Sequence, residues 1–186
     1  MNEPACLPAR LAVLGPESCG KSTLVDALLQ RCLEHGIAAA AVPEFARDYY
    51  RTRPYRPTRD DIVAIARGQL AAERACGADV ALLLCDTTVT TCKIWFEVAF
   101  GGCDAELLAL HHPDRYGLTL LTRPDIPWQF DPLRSHPHER ESLWQRYRSE
   151  LAAAGIAAVD IAGSHAQRVE TAWRALRQRW PDLPII

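Results

Sequence analysis

A glycine at position 15, four intervening residues, then Gly20, Lys21 and Ser22 form the pattern G-x-x-x-x-G-K-S. That spacing suits one task, the holding of a phosphate chain. Glycines let successive backbone N–H groups curl around phosphate oxygens with no Cβ in the way. A helix starting at Gly20 would point its positive end at the same anion. A lysine at 21 can reach the outer phosphates, and the Ser22 hydroxyl can ligate Mg²⁺. The expected nucleotide-binding stretch is Gly15, Pro16, Glu17, Ser18, Cys19, Gly20, Lys21, Ser22 and Thr23. Within it, the Glu17 side chain is expected to face solvent. Cys19 reads as a small loop residue, with a reactive thiol near a helix N-terminus as the lesser alternative.

A phosphate site at the end of one strand needs partners at the ends of its neighbours. Asp86 closes the apolar run ALLLCD, where a carboxylate can hold Mg²⁺ or orient a hydroxyl. Its alternative is to cap the helix that starts near Thr88. Glu44 follows the run IAAAAV and Pro43, and it either accepts a substrate hydroxyl proton or sits in the first turn of a helix. Phosphoryl transfer also calls for positive charge that closes over the phosphates. Arg123 and Arg134 bracket PDIPWQFDPL within the proline-rich segment 123–138, which suits a lid, though solvated surface arginines are the plainer reading. Trp128 in that segment would stack on a ring or pin the lid to the body, the second being favoured. His136 and His138 carry no metal-ligand spacing. The stretch TRPD (122–125) loosely echoes a guanine-reading motif, but Arg stands where Lys is needed, and the echo is discounted. Trp95 and Phe96 read as core residues of a helix.

These residues require a scaffold of strands alternating with helices. Strands are expected at 10–15, 37–42, 79–86, 116–122 and 156–163. Helices are expected at 20–35, just after 43, at 59–76, 88–101, 104–111, 139–155 and 165–180. Thr58 with Asp61, and Ser164 with Gln167, mark two helix starts. Glycine stops follow at 36, 101 and 155. The alternation argues for an α/β fold with a parallel sheet, in a single domain over 1–186.

The formal net charge is −2, which argues against broad nucleic-acid binding. Seven cysteines, at 6, 19, 32, 76, 85, 92 and 103, form no C-x-x-C pair. With no signal-peptide pattern and no apolar run of about 20 residues, the expectation is a reduced, cytoplasmic protein without a membrane partner.

GPESCGKSTL, PEFARDYY, CDTTVTTCKIWFEVAFG and RPDIPWQFDPLR occur in the order and spacing of the NadR-like ribosylnicotinamide kinases, which the chain resembles over about 10–180. The resemblance implies a P-loop kinase-like, three-layer α/β/α fold with a five-stranded parallel sheet in the order 2-3-1-4-5 and a lid. It implies ATP and Mg²⁺ as cofactors, and nicotinamide riboside or a related nucleoside as the small-molecule substrate, phosphorylated on its ribose 5′-hydroxyl. Lys21 and Ser22 match the phosphate and Mg²⁺ positions. Glu44 and Arg47 match the charged pair after strand two, Asp86 the strand-three carboxylate, and Arg134 the lid arginine. The expected catalytic set is thus Lys21, Glu44, Asp86 and Arg134, with Arg123 on the nucleotide. Ser22 and Asp86 are expected on the metal, and Glu44, Arg47, Asp86 and Trp128 on the substrate. Bifunctional members carry a nucleotidyltransferase domain and a DNA-binding segment, for which 186 residues leave no room, so only the kinase step is carried over. This chain has Pro43 where those members place an aromatic residue, and GQLAAERA offers no second one. A nucleotide-dependent regulatory switch and a kinase for another nucleoside stay open as alternatives, as do ATP against GTP and the identity of the base.

Overall fold

A computed structural model describes residues 8–76, 80–131 and 138–183. The order is β1 (Ala9–Leu14), α1 (Lys21–Glu34), β2 (Ala39–Val42), α2 (Phe45–Tyr50), α3 (Arg59–Cys76), β3 (Leu82–Asp86), α4 (Val89–Phe100) and α5 (Ala105–Leu110). A 3₁₀ turn (Pro113–Arg115) leads to β4 (Leu118–Thr122), α6 (Arg140–Ala153), β5 (Ala158–Ile161) and α7 (His165–Arg179).

The strands form one parallel sheet in the order β2-β3-β1-β4-β5. The central strands are apolar at nearly every position because helices cover both faces. Alternation then sorts them. Leu11, Val13, Leu82, Leu84 and Leu120 face α1 and α7, where Leu28, Trp173 and Leu176 pack. Ala12, Leu14, Leu83, Cys85 and Leu121 face the other way, onto Ile94, Trp144 and Tyr147 of α4 and α6. A third apolar cluster lies where α2, α3 and α4 meet, beyond the sheet edge, and includes Tyr50, Ile62, Ile65 and Phe96. The result is the three-layer α/β/α architecture expected of a P-loop kinase-like chain.

Local chemistry sets the boundaries. Asp61 and Thr58 exchange hydrogen bonds, Thr58 N to Asp61 Oδ2 at 2.9 Å and Asp61 N to Thr58 Oγ1 at 3.2 Å, which fixes the start of α3. Ser164 and Gln167 do the same for α7. The strand expected at 37–42 forms over Ala39–Val42 only, since pairing with β3 begins at Ala39 opposite Leu82. Pro113 opens a 3₁₀ turn that periodicity did not announce. Among the described residues no helix is long and apolar enough to cross a membrane.

Candidate active site

The carboxyl ends of β1, β2 and β3 converge, and every central candidate sits on them. β1 runs into the glycine loop. Gly15 has φ 140, and a Cβ there would lie 2.3 Å from Thr122 Oγ1 and 2.7 Å from the Thr122 carbonyl oxygen, so β4 closes against bare backbone. Gly20 adopts φ 75 as the N-cap of α1 and supplies no side-chain cap, which leaves the first N–H groups of the helix to an outside acceptor. Lys21 folds back over the loop, its Nζ donating to the Pro16 carbonyl at 2.7 Å.

β3 delivers Asp86 to α1. The Ser22 hydroxyl donates to Asp86 Oδ2 at 2.5 Å. The helix that follows is capped by Thr88, whose Oγ1 accepts from Thr90 N at 3.2 Å, so Asp86 does not serve as the cap. Between them Thr87 is held at φ 69, an unfavourable conformation for a β-branched residue, which turns the chain sharply at the strand end. Asp86 is 4% exposed, and its Oδ1 has no partner among the described residues. An orphaned carboxylate oxygen beside a serine hydroxyl is a hard-oxygen donor set that fits Mg²⁺. No group of three or more His, Cys, Asp or Glu side chains that could hold a metal occurs among the described residues.

β2 delivers Glu44. Its carboxyl accepts from Arg47 Nε at 3.2 Å, and Arg47 Nη1 reaches Asp131 Oδ2 at 2.9 Å. Burial raises the Glu44 pKa above the usual carboxylate range; the nearby Lys21 ammonium opposes the rise and the Asp86 charge adds to it. Lys21, Glu44 and Asp86 therefore share one electrostatic site.

A cavity of about 470 Å³ opens from this site between two helical stripes. Ile62, Ile65 and Gln69 line it from α3, and Thr91, Cys92 and Trp95 line it from α4. Tyr50 and Tyr55 close a further side.

Several expectations change. Glu17 does not face solvent: it is 9% exposed, and Oε1 accepts from Trp128 Nε1 at 3.2 Å. Gln129 N donates to Ser18 Oγ at 2.8 Å, so the start of the 123–138 segment is laid across the glycine loop. Trp128 is held there and does not line the cavity. Nor does Arg123, which pairs with Asp160 at 3.1 Å and lies over the Trp144 ring, at the β4–β5 edge. Arg134 lies outside the described residues, as does His136. Cys19 is buried, its thiol is pushed upward by that burial, and it donates to the Glu17 carbonyl; this is a packed residue and not an activated nucleophile. Both Asp125 oxygens are engaged, one by Gly163 N and one by Arg168, so TRPD offers no free carboxylate to a guanine.

Two arginines that the sequence did not single out brace the loop. Arg140 of α6 donates to the Ser18 carbonyl at 3.2 Å and to Ile126 O at 2.9 Å. Arg168 of α7 is 4% exposed. It donates to the carbonyls of Cys19, Gly163 and Arg123 as well as to Asp125. Trp95 was also missed as a cavity residue, though a signal existed: adjacent helical residues point about 100° apart, so Trp95 and Phe96 cannot share one direction. Phe96 takes the core, while Trp95 packs against the α4–α6 core cluster, as expected, and also lines the cavity.

Comparison with known proteins places the chain in a family and a fold. An AAA-domain family model matches residues 10–168. The chain belongs to that AAA-domain family. No curated protein matches the sequence. Among solved structures, the NadR protein in complex with NR superposes with a TM-score of 0.76 at 18% identity, over 96% of this chain and 52% of that one. The NadR protein in complex with NAD and AMP-PNP gives 0.68 at 18% identity, over 92% and 49%. This AAA-family chain thus spans about half the length of those two. Deoxyadenosine kinase from M. mycoides, with dCMP and a flexible dCDP bound, gives 0.54 at 10% identity, over 91% and 99%. At such identities the likeness is one of fold, and the fold is the NadR-like one that the sequence motifs implied.

Proposed function

We propose that the chain is an ATP-dependent small-molecule kinase whose acceptor is the ribose 5′-hydroxyl of nicotinamide riboside. The observation that carries this reading is the position of Glu44. A partly buried carboxyl of raised pKa stands beside Lys21 of the phosphate loop, at the mouth of a cavity walled by aromatic and aliphatic side chains. A switch needs the loop but has no use for such a cavity.

Loop amides from Gly15 to Ser22 and the Lys21 ammonium would hold the triphosphate. Ser22 and Asp86 would hold Mg²⁺, which supplies neutralisation of phosphate charge when bound. The acceptor hydroxyl oxygen bonds to the γ-phosphorus, the bond from that phosphorus to the ADP oxygen breaks, and the hydroxyl proton passes to Glu44. Asp86 is less suited to take that proton, because its Oδ2 is already engaged by Ser22. A raised pKa makes Glu44 a stronger base than a solvated carboxylate. The Glu44 carboxyl that lines the cavity also favours a cationic nicotinamide ring. The described part of the lid segment, clasped to the loop through Glu17 and Ser18, would shield the phosphates from water.

The test is ADP release measured with nicotinamide riboside, the common nucleosides, or no acceptor. Stimulation by a nucleoside, lost in Lys21→Ala, is expected. Nucleotide binding without stimulation by any acceptor would make the protein a switch and refute the proposal.

A further inference from the structure

Two residues that line the acceptor cavity carry a buried polar atom without a partner among the described residues. Gln69 is 2% exposed. Its Oε1 accepts from Phe45 N at 2.9 Å, which fixes the amide orientation and presents Nε2 as a donor. Among the described residues that Nε2 has no partner, and the hydroxyl of Tyr50, 8% exposed, has none either. Both residues line the cavity that opens at Glu44. An unpaired polar group shut away from bulk water destabilises a fold, and two of them on residues lining one cavity call for an explanation.

The rest of the wall states the shape of what would satisfy them. Gln69 is the polar member of the α3 stripe whose other cavity residues are Ile62 and Ile65. Trp95 and Tyr55 add flat apolar surface. Aromatic and aliphatic walls with a few fixed polar groups suit a planar ring that carries a polar edge. Resting on the kinase reading above, we propose that Gln69 and Tyr50 are specificity residues that hydrogen-bond the edge of the acceptor's ring. The Gln69 Nε2–H donates to a carbonyl oxygen on that ring, and the Tyr50 hydroxyl bonds the same edge. The ligand class is a nucleoside whose base bears an exocyclic carbonyl or carboxamide. The flat walls then come from α4 and the 51–58 loop, which accounts for a chain that has Pro43, and no aromatic residue, just before Glu44.

Tyr50→Phe provides the clean test, because it deletes one unpartnered oxygen and leaves the ring contacts with Tyr49 and Tyr55 in place. Removing an unsatisfied buried hydroxyl should raise the melting temperature of the free protein. If that hydroxyl binds the acceptor, the same change should raise the acceptor KM about tenfold while the ATP KM stays within about twofold. Gln69→Leu, checked for folding by its melt, should act in the same direction on the acceptor KM. The wild type should discriminate against a riboside whose ring lacks the carbonyl, and the variants should lose that discrimination. A higher melting temperature with an unchanged acceptor KM would show that water serves these groups and would overturn the proposal. A panel of nucleosides in which none is phosphorylated and none shifts the melt would overturn both this inference and the kinase reading. Phosphorylation with KM values indifferent to both substitutions would overturn this inference alone.

Discussion

Arg168→Ala tests how the phosphate loop is held. The wild-type guanidinium is 4% exposed and joins four groups: the carbonyls of Cys19, Gly163 and Arg123, and the Asp125 carboxyl. Truncation leaves those carbonyls short of a donor and Asp125 without its counter-charge. Removing one partner of a buried ion pair costs about 3–5 kcal/mol. Asp125 is 36% exposed on its side chain and can partly rehydrate, which favours the lower end of that range. With an unfolding entropy of ~2.1 cal/mol/K per residue, 186 residues give about 0.39 kcal/mol/K. The expected fall in melting temperature is therefore ~8 °C, with ~13 °C as the upper value. Calorimetry with and without an ATP analogue measures it. Because one of the lost bonds ends on the loop residue Cys19, nucleotide affinity should fall as well, and Arg168→Lys should restore part of the stability but little of the fork geometry. An Arg168→Ala protein that melts within about 2 °C of the wild type and binds nucleotide normally would refute the claim that α7 braces the loop.

Other outcomes follow from the same geometry. Asp86→Asn should raise the Mg²⁺ concentration needed for half-maximal turnover by roughly 10–100-fold, read from a metal titration; an unchanged titration would remove Asp86 from the metal site. Trp128→Phe takes the indole donor from the buried Glu17 and should cost roughly 1–3 kcal/mol by thermal melt, without altering the acceptor KM. Glu44→Gln should lower turnover about 10²–10⁴-fold and remove an acidic limb of the pH–rate profile that lies above the ordinary carboxylate range.

The alternation of strands and helices was legible because each element carries its own punctuation. Thr58–Asp61 and Ser164–Gln167 start helices, and Gly101 at φ 73 stops one. The phosphate loop was legible because its requirement is local: glycine where backbone must approach, lysine and serine at fixed offsets. What escaped is what depends on distant contacts. Glu17 reads as a solvent-facing loop carboxyl until Trp128, 111 residues later, is laid over it. Arg123 reads as a lid cation until β5 supplies Asp160. Arg168 looks like one more arginine on an amphipathic helix, and only the fold shows that its donors end on three separate loops. Gln69 illustrates the same limit from the other side, since an apolar stripe with one amide gives no hint that half of the amide is spoken for by Phe45 N.

The raised pKa of Glu44 also ties function to stability, with a definite sign. Its cause, burial reinforced by Asp86, makes the folded protein bind the proton more tightly than the unfolded chain does. Stability from this group is therefore fully present below the unfolded carboxylate pKa, and it is lost as pH rises through the higher folded value. At pH 8 the wild type carries that loss whereas Glu44→Gln does not. The catalytically impaired variant should then melt higher than the wild type at pH 8, and the gap should close as pH falls through the carboxylate range. If Glu44→Gln instead melts lower at pH 8, the pairing with Arg47 and Lys21 outweighs desolvation, the carboxyl is stabilised as an anion, and Glu44 loses its claim to be the base.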